Sequence, residues 1–299
     1  MAELVREPKM VNIETGEETV SPWRQSLRIF RKNKLAMVGL TIVLFFVFLA
    51  IFAPLIAPEG PNDQKIGQAR LLPPSGEYWF GTDDFGRDIL SRVIYGARIS
   101  LTVGFFSVAG SIIVGTLLGV MAGYYGKIID GIISRFFDIM LAFPSILLAI
   151  GIVAVLGPSL QNALIAIAIV NIPNFGRLVR SKVLSVKEEE YILAAKSVGM
   201  KNIRILIHHI LPNSMSPIIV QGTLAIATAI IEAAALSFLG LGAQPGVPEW
   251  GKMLADSRDF FITAPWMMVF PGLAIMLTVL GFNLLGDGLR DALDPKMKN

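Results

Sequence analysis

The chain has no cysteine and only two histidines among its 299 residues, and just 16% of it is charged. Without cysteine there are no disulfides and no thiolate metal sites. His208 and His209 are adjacent, so they cannot share a helix face at the four-residue spacing of a zinc-binding pair. Charge falls well below the roughly 25% of soluble domains, while 54% of residues are hydrophobic and the mean hydropathy is +0.63. Long stretches therefore carry no ionisable group, which a water-exposed surface does not tolerate. A nucleotide-binding loop of the form GxxxxGK[ST] is missing too. The only Gly-Lys pairs, Gly126-Lys127 and Gly251-Lys252, are followed by Ile128 and Met253. The net charge of +3 is small, and its distribution says more than its sum.

What is present is a series of uncharged runs. A bilayer core takes about 20 apolar helical residues. Leu35–Ala57, Ile99–Gly126, Asn213–Ile231 and Phe260–Gly286 each lack any charge. Ile139–Gly176 also lacks charge, but its 38 residues are too many for one span. Gly157-Pro158-Ser159 interrupts it near its middle and predicts a tight helical hairpin. Six helices follow, over 36–57, 99–123, 133–156, 160–180, 214–240 and 266–286. An even number puts both termini on one side of the membrane. With the N-terminus in the cytoplasm, inside segments hold 19 Lys and Arg and outside segments 7. This bias specifies an all-α integral membrane protein, N-in and C-in.

The first 20 residues carry mixed charge and do not read as a cleaved signal peptide. Trp23, Leu27 and Phe30 recur at helical spacing among Arg24, Arg28, Arg31, Lys32 and Lys34. This is either an interfacial amphipathic helix or a simple basic flank that fixes topology. The expected organisation is a cytoplasmic segment 1–34, a first span 35–57, an outer loop 58–98, a core 99–290 with a cytoplasmic loop 181–212, and a tail 291–299.

The loop between helices four and five is the most informative segment. Tyr191, Ala194, Ala195 and Val198 fall on one helix face, and Glu188, Glu189 and Glu190 lie at that helix's start, where they complement its dipole. Gly199 stands where a left-handed C-cap would fall. A second helix is expected to run to Leu211, next to Pro212. Its Ala194, Ala195, Gly199, Leu211 and Pro212 resemble the "EAA" loop of ABC importer permeases, with Leu193 in place of an acidic residue and His209 in place of isoleucine. FGTDDFGRDILSRVIYGARISL (Phe80–Leu101), AALSFLGLG (Ala234–Gly242), PEWGKML (Pro248–Leu254) and GDGLRDALDP (Gly286–Pro295) resemble the C-type permeases of the oligopeptide/dipeptide/nickel importer family, in the same order.

The resemblance implies a type I ABC importer permease fold in the inner membrane of a prokaryote. It also implies a loop that docks on an ATPase subunit through Tyr191, Ala194, Ala195, Lys196, Gly199, Met200 and Pro212. The implied partners are a homologous second permease in a heterodimer, two ATP-binding cassette subunits and an extracytoplasmic binding protein. ATP and Mg would be used by the ATPase subunits, with no cofactor on this chain and no nucleic acid involved. The cargo implied is di- or oligopeptide, with nickel chelates or glutathione as alternatives.

Asn171, Pro173 and Asn174 in helix four, and Glu232 in helix five, are candidates for lining or gating a path through the bundle, or for a structural kink and an ion pair. Pro144 is a further candidate kink in helix three. Asp83, Asp84, Arg87, Asp88 and Arg92 either dock the binding protein or brace the outer surface through four-residue ion pairs such as Asp88–Arg92. A secondary transporter is a rival, but no convincing internal repeat is found. An intramembrane enzyme is another, but Asp138 has no obvious partner and no catalytic constellation emerges.

Overall fold

The computed structural model describes residues 22–67 and 69–293, with the side chains of residues 22–24 excepted. The expected segment before residue 22, most of the tail, and the Trp23 side chain of the amphipathic pattern lie outside the described residues.

Runs without charge become long helices. These are α1 (Pro22–Lys32), α2 (Lys34–Ile56), α3 (Ile89–Tyr125), α4 (Lys127–Leu141), α5 (Ser145–Leu156) and α6 (Leu160–Val186). After them come α7 (Glu190–Ser197), α8 (Asn202–Ile205), α9 (Leu211–Phe238), α10 (Trp250–Asp256) and α11 (Trp266–Leu293). Among the described residues there is no strand, only an isolated bridge between Thr82 and Asp88. Among the described residues five continuous helical stretches are long and apolar enough to cross a membrane, and α4 with α5 makes six if the bent pair counts as one span.

Besides α6 and α11, which run on to Val186 and Leu293 past their expected ends at 180 and 286, the helices differ from expectation in three places. The second begins at Ile89, ten residues before its uncharged run, because the Asp88 carboxylate caps it by accepting from Ser91 N at 2.8 Å. Arg92 and Arg98 thus ride on a helical extension outside the apolar run. The third is two helices at 94° rather than one from 133 to 156. Pro144 has no N–H to continue the ladder and its ring opposes the preceding turn, so the chain breaks there instead of kinking. The second helix of the cytoplasmic loop does not stop at Leu211. It runs from α8 through a π-helical turn, Leu206–Ile210, directly into α9. Elsewhere the punctuation matches expectation: Gly157, at φ +93°, ends α5, and the Ser159 side chain caps α6 by accepting from Asn162 N at 3.0 Å.

The helix pair α3–α6 forms the centre of the bundle. Gly115, Gly119 and Gly123, spaced by four, turn one face of α3 onto α6 and bring the backbones close. Lipid tails are as apolar as leucine, so this kind of close small-residue packing, not hydrophobicity, holds spans together. At the inner surface Phe30 of α1 packs with Ala36 and Ala292, fixing that helix against α2 and α11.

Candidate functional site

Polar side chains gather at four heights along the molecule, from the cytoplasmic elbow to the outer loop. The innermost is the elbow of α7 and α8. Gly199, at φ +78°, donates to Lys196 O at 3.0 Å, and Met200 N donates to Ala195 O at 3.1 Å. This pair of bonds is a Schellman closure, which needs the left-handed region that glycine enters without strain. α7 is rotated so that Ile192 and Ala195 are buried against Ile205, Leu206 and Ile210. Ala195 therefore does not share an exposed face with Tyr191, Ala194 and Val198, which stay exposed with Lys196. The reason is the buried aliphatic cluster beneath the elbow, which claims the 192/195 face. Met200 packs on the same cluster, and Pro212 is exposed in the first turn of α9. Asn213 Nδ2 donates to Tyr191 Oη at 3.2 Å and to His209 O at 2.7 Å, tying α7 to the π turn.

Above the elbow, α4 is held to α6 by ion pairs. Arg180 grips Asp130 in a bidentate fork, Nε to Oδ1 and Nη2 to Oδ2, the latter at 2.7 Å. Asp138, without an evident partner in the sequence, pairs with Arg177.

The middle region joins residues that are far apart in sequence. Asn171 Nδ2 donates to Glu232 Oε2 at 3.3 Å and to Ile167 O at 3.1 Å. Asn174 Nδ2 reaches Asn171 Oδ1 at 3.4 Å. Asn171, Pro173 and Glu232 are buried and Asn174 is exposed. No basic side chain pairs with Glu232 among the described residues.

The outer region is a folded loop. Asp83 Oδ2 accepts from Arg87 Nε at 2.6 Å and lies 3.7 Å from Arg92 Nε, and its Oδ1 accepts from Phe85 N and Arg87 N. Asp83, Arg87, Asp88 and Arg92 are all buried. The expected Asp88–Arg92 pair is replaced by the Asp83 centre, because Asp88 is spent on the helix cap. Asp84 is half-buried, and its Oδ1 has no partner. Lys65 bonds Glu59 at 2.5 Å and Tyr78 at 3.1 Å, and the Glu59 bond foremost holds its ammonium above the ordinary lysine range. Glu249, fully buried, caps α10 by accepting from Gly251 N and Lys252 N. Burial pushes its carboxyl up, and those bonds, with Ser237 and Ser100, oppose the shift.

Sequence inspection singled out neither Glu249 nor the Asp130–Arg180 pair. Charges flanking an apolar run are common, and nothing along the chain tells which will meet.

Residues 115–299 match the binding-protein-dependent transport system inner membrane component family, and residues 21–74 match the N-terminal transmembrane domain of oligopeptide transport permease C. The chain belongs to the first of these families. Among relatives of this permease, the dipeptide transport system permease protein DppC of Alkalihalophilus pseudofirmus is 66% identical over 293 residues, spanning 98% of this chain and 96% of that one. The di/tripeptide permease DppC of Pseudomonas aeruginosa is 49% identical, spanning 93% and 94%. The glutathione permease GsiD of Escherichia coli is 50% identical, spanning 94% and 93%. An inward-facing structure of the MetNI methionine ABC transporter shares the fold, with a TM-score of 0.55 and 19% identity over 69% of this permease and 98% of that chain. The permease is thus a multi-pass inner-membrane subunit with the type I importer fold, from a family that works with ATPase subunits and a binding protein.

Proposed function

We propose that the permease is the C-type half of the translocation pathway of an ATP-driven importer of di- and oligopeptides. It pairs with a homologous B-type permease, and two ATP-binding cassette subunits supply the energy. The observation that carries this reading is the near full-length similarity to dipeptide permeases, together with an elbow that leaves large apolar side chains exposed among its charges. Tyr191, Leu193, Val198 and Ile203 are exposed on a segment outside the bilayer, a surface suited to burial against another protein. With neither Gly-Lys pair in a nucleotide-binding loop, ATP and Mg belong to the partners. Asn171, Asn174 and Glu232 supply polar groups on α6 and α9. The buried Asp83, Arg87 and Asp88 brace the outer loop, and the binding protein meets the surface that they support.

The test is uptake by the complete complex in proteoliposomes, with a dipeptide panel and glutathione as competitor. ATP-dependent dipeptide uptake is expected. Uptake by this chain without ATPase subunits would overturn the reading, and preference for glutathione would favour the cargo named for GsiD. Gly199→Pro is expected to abolish transport while leaving membrane insertion intact. Proline fixes φ near −65° and has no N–H, so neither the +78° conformation nor the bond to Lys196 survives. Full transport by that variant would show that the elbow carries no force.

A further inference from the structure

The elbow rests on α3 as well as on the two helices that it connects. Tyr124, one residue from the cytoplasmic end of α3, sits half-buried between its arms. Its hydroxyl donates to Asn202 Oδ1 at 2.8 Å, on the first residue of α8. Its ring lies 5.9 Å from the Lys196 ammonium on α7. Tyr124 and Val120 also pack on the aliphatic cluster that holds Ile192 and Ile205 together. A second tie stands at the start of the loop, where Lys187 Nζ donates to Gly123 O at 3.1 Å, a carbonyl in the last turn of α3. Both arms and the loop's entrance are thus fastened to one turn of one helix.

That helix is continuous for 37 residues, about 55 Å at 1.5 Å per residue. Its far end is the Asp88 cap, held within the buried Asp83–Arg87–Arg92 centre of the outer loop. Motion delivered at the elbow therefore has a direct route to the outer surface along α3, besides the routes through α6 and α9.

We propose that Tyr124 is a positioning residue for coupling: its bond to Asn202 sets the elbow against α3, so that α3 receives the displacement and energy use stays tied to cargo movement. The proposal rests on the reading that the elbow meets an ATPase subunit. A tyrosine in this place does more than pack, because its hydroxyl reaches across to the Asn202 side chain at the start of the opposite arm.

The experiment compares Tyr124→Phe with wild type in the complete complex with its binding protein, in proteoliposomes with radiolabelled dialanine. Phenylalanine keeps the packing and the ring face towards Lys196 and removes only the hydroxyl. ATP hydrolysis is expected to continue, while peptide moved per ATP falls about fivefold, the factor set by one net hydrogen bond of about 1 kcal/mol. Asn202→Ala should give the same loss, and the double variant no further loss, since both remove one interaction. Complex yield should stay unchanged and the melting temperature should fall by no more than about 2–4 °C, the shift that one such bond accounts for, separating coupling from a collapse of the fold. An unchanged transport-to-ATP ratio in Tyr124→Phe would overturn the proposal. So would a loss in Tyr124→Phe that Asn202→Ala does not share, or one that only tracks reduced assembly. Gly199→Pro separates the two readings. If it uncouples and Tyr124→Phe does not, the elbow reading stands and the role of α3 falls.

Discussion

Replacing Gly119 by alanine measures how closely α3 and α6 are packed. A Cβ at Gly119 would lie 2.5 Å from Gly176 O, 2.9 Å from Val179 Cβ and 3.1 Å from Arg180 N. The first of these falls about 0.9 Å short of the 3.4 Å at which ordinary contact begins. All three obstacles are backbone atoms or a Cβ, so no rotamer change relieves them and the helices must part. Gly115 and Gly123 lie on the same face, with clearances of 2.7 Å to Phe175 Cβ and 2.8 Å to Val183 Cβ, so separation at one point also loosens the turns beside it. Overpacking of this kind costs about 1–3 kcal/mol. Alanine's better helix propensity offsets about 0.5–1 kcal/mol. The net expectation is a loss of roughly 1–2 kcal/mol. Gly131 on α4 provides the control: a Cβ there meets nothing within 4 Å, so Gly131→Ala should gain the propensity term alone. The assay is thermal unfolding of the purified complex in detergent, one variant at a time. Gly119→Ala should melt lower than wild type and Gly131→Ala level with it or higher. Two shifts of the same sign, or a Gly119→Ala complex as stable as wild type, would refute the packing argument.

Asp83→Asn removes the shared anion of two buried guanidiniums, and about 3–5 kcal/mol is expected for a buried charge left without its partner. A melting temperature within error of wild type would show that Arg87 and Arg92 find other partners. Asp84 should behave oppositely. Burial first, and then the Asp83 charge, hold its carboxyl above the ordinary aspartate value. The folded state therefore disfavours the ionised form. That penalty is present at neutral pH and vanishes as pH falls through the raised value towards the unfolded one near about 4. Asp84→Asn should raise the melting temperature at pH 7 and lose its advantage on acidification; an advantage independent of pH would rule out charge as the cause. Glu232→Ala removes the carboxylate that Asn171 reaches across from α6, at a cost of about 0.5–1.5 kcal/mol because Asn171 Nδ2 keeps Ile167 O as acceptor, while Glu232→Gln keeps the bridge and most of the stability. Equal melting temperatures in the two variants would show that the carboxylate is not a bridge.

Much of this architecture was legible along the chain. The uncharged runs located the spans, the distribution of Lys and Arg oriented them, and Gly199 marked the turn of the elbow with the left-handed conformation that it adopts. These are local properties: transfer of a run into lipid depends on its own residues, and a C-cap on its own φ. Helix continuity was less legible. Asp88 extends α3 beyond its apolar run, Pro144 divides a span, and a π turn carries the elbow straight into α9. Each depends on which backbone groups find partners once the chain is folded.

Only the tertiary structure decided the pairings. Asn171 and Glu232 each stood out as polar residues in apolar helices, but their meeting depends on the depth and rotation of α6 and α9. The same holds for Asp130 with Arg180 and for Tyr124 with Asn202. Between spans in lipid there is no hydrophobic gradient to fix which face turns inward. The rotation is settled by close contacts such as Gly119 on Gly176, and those exist only when both helices are in place.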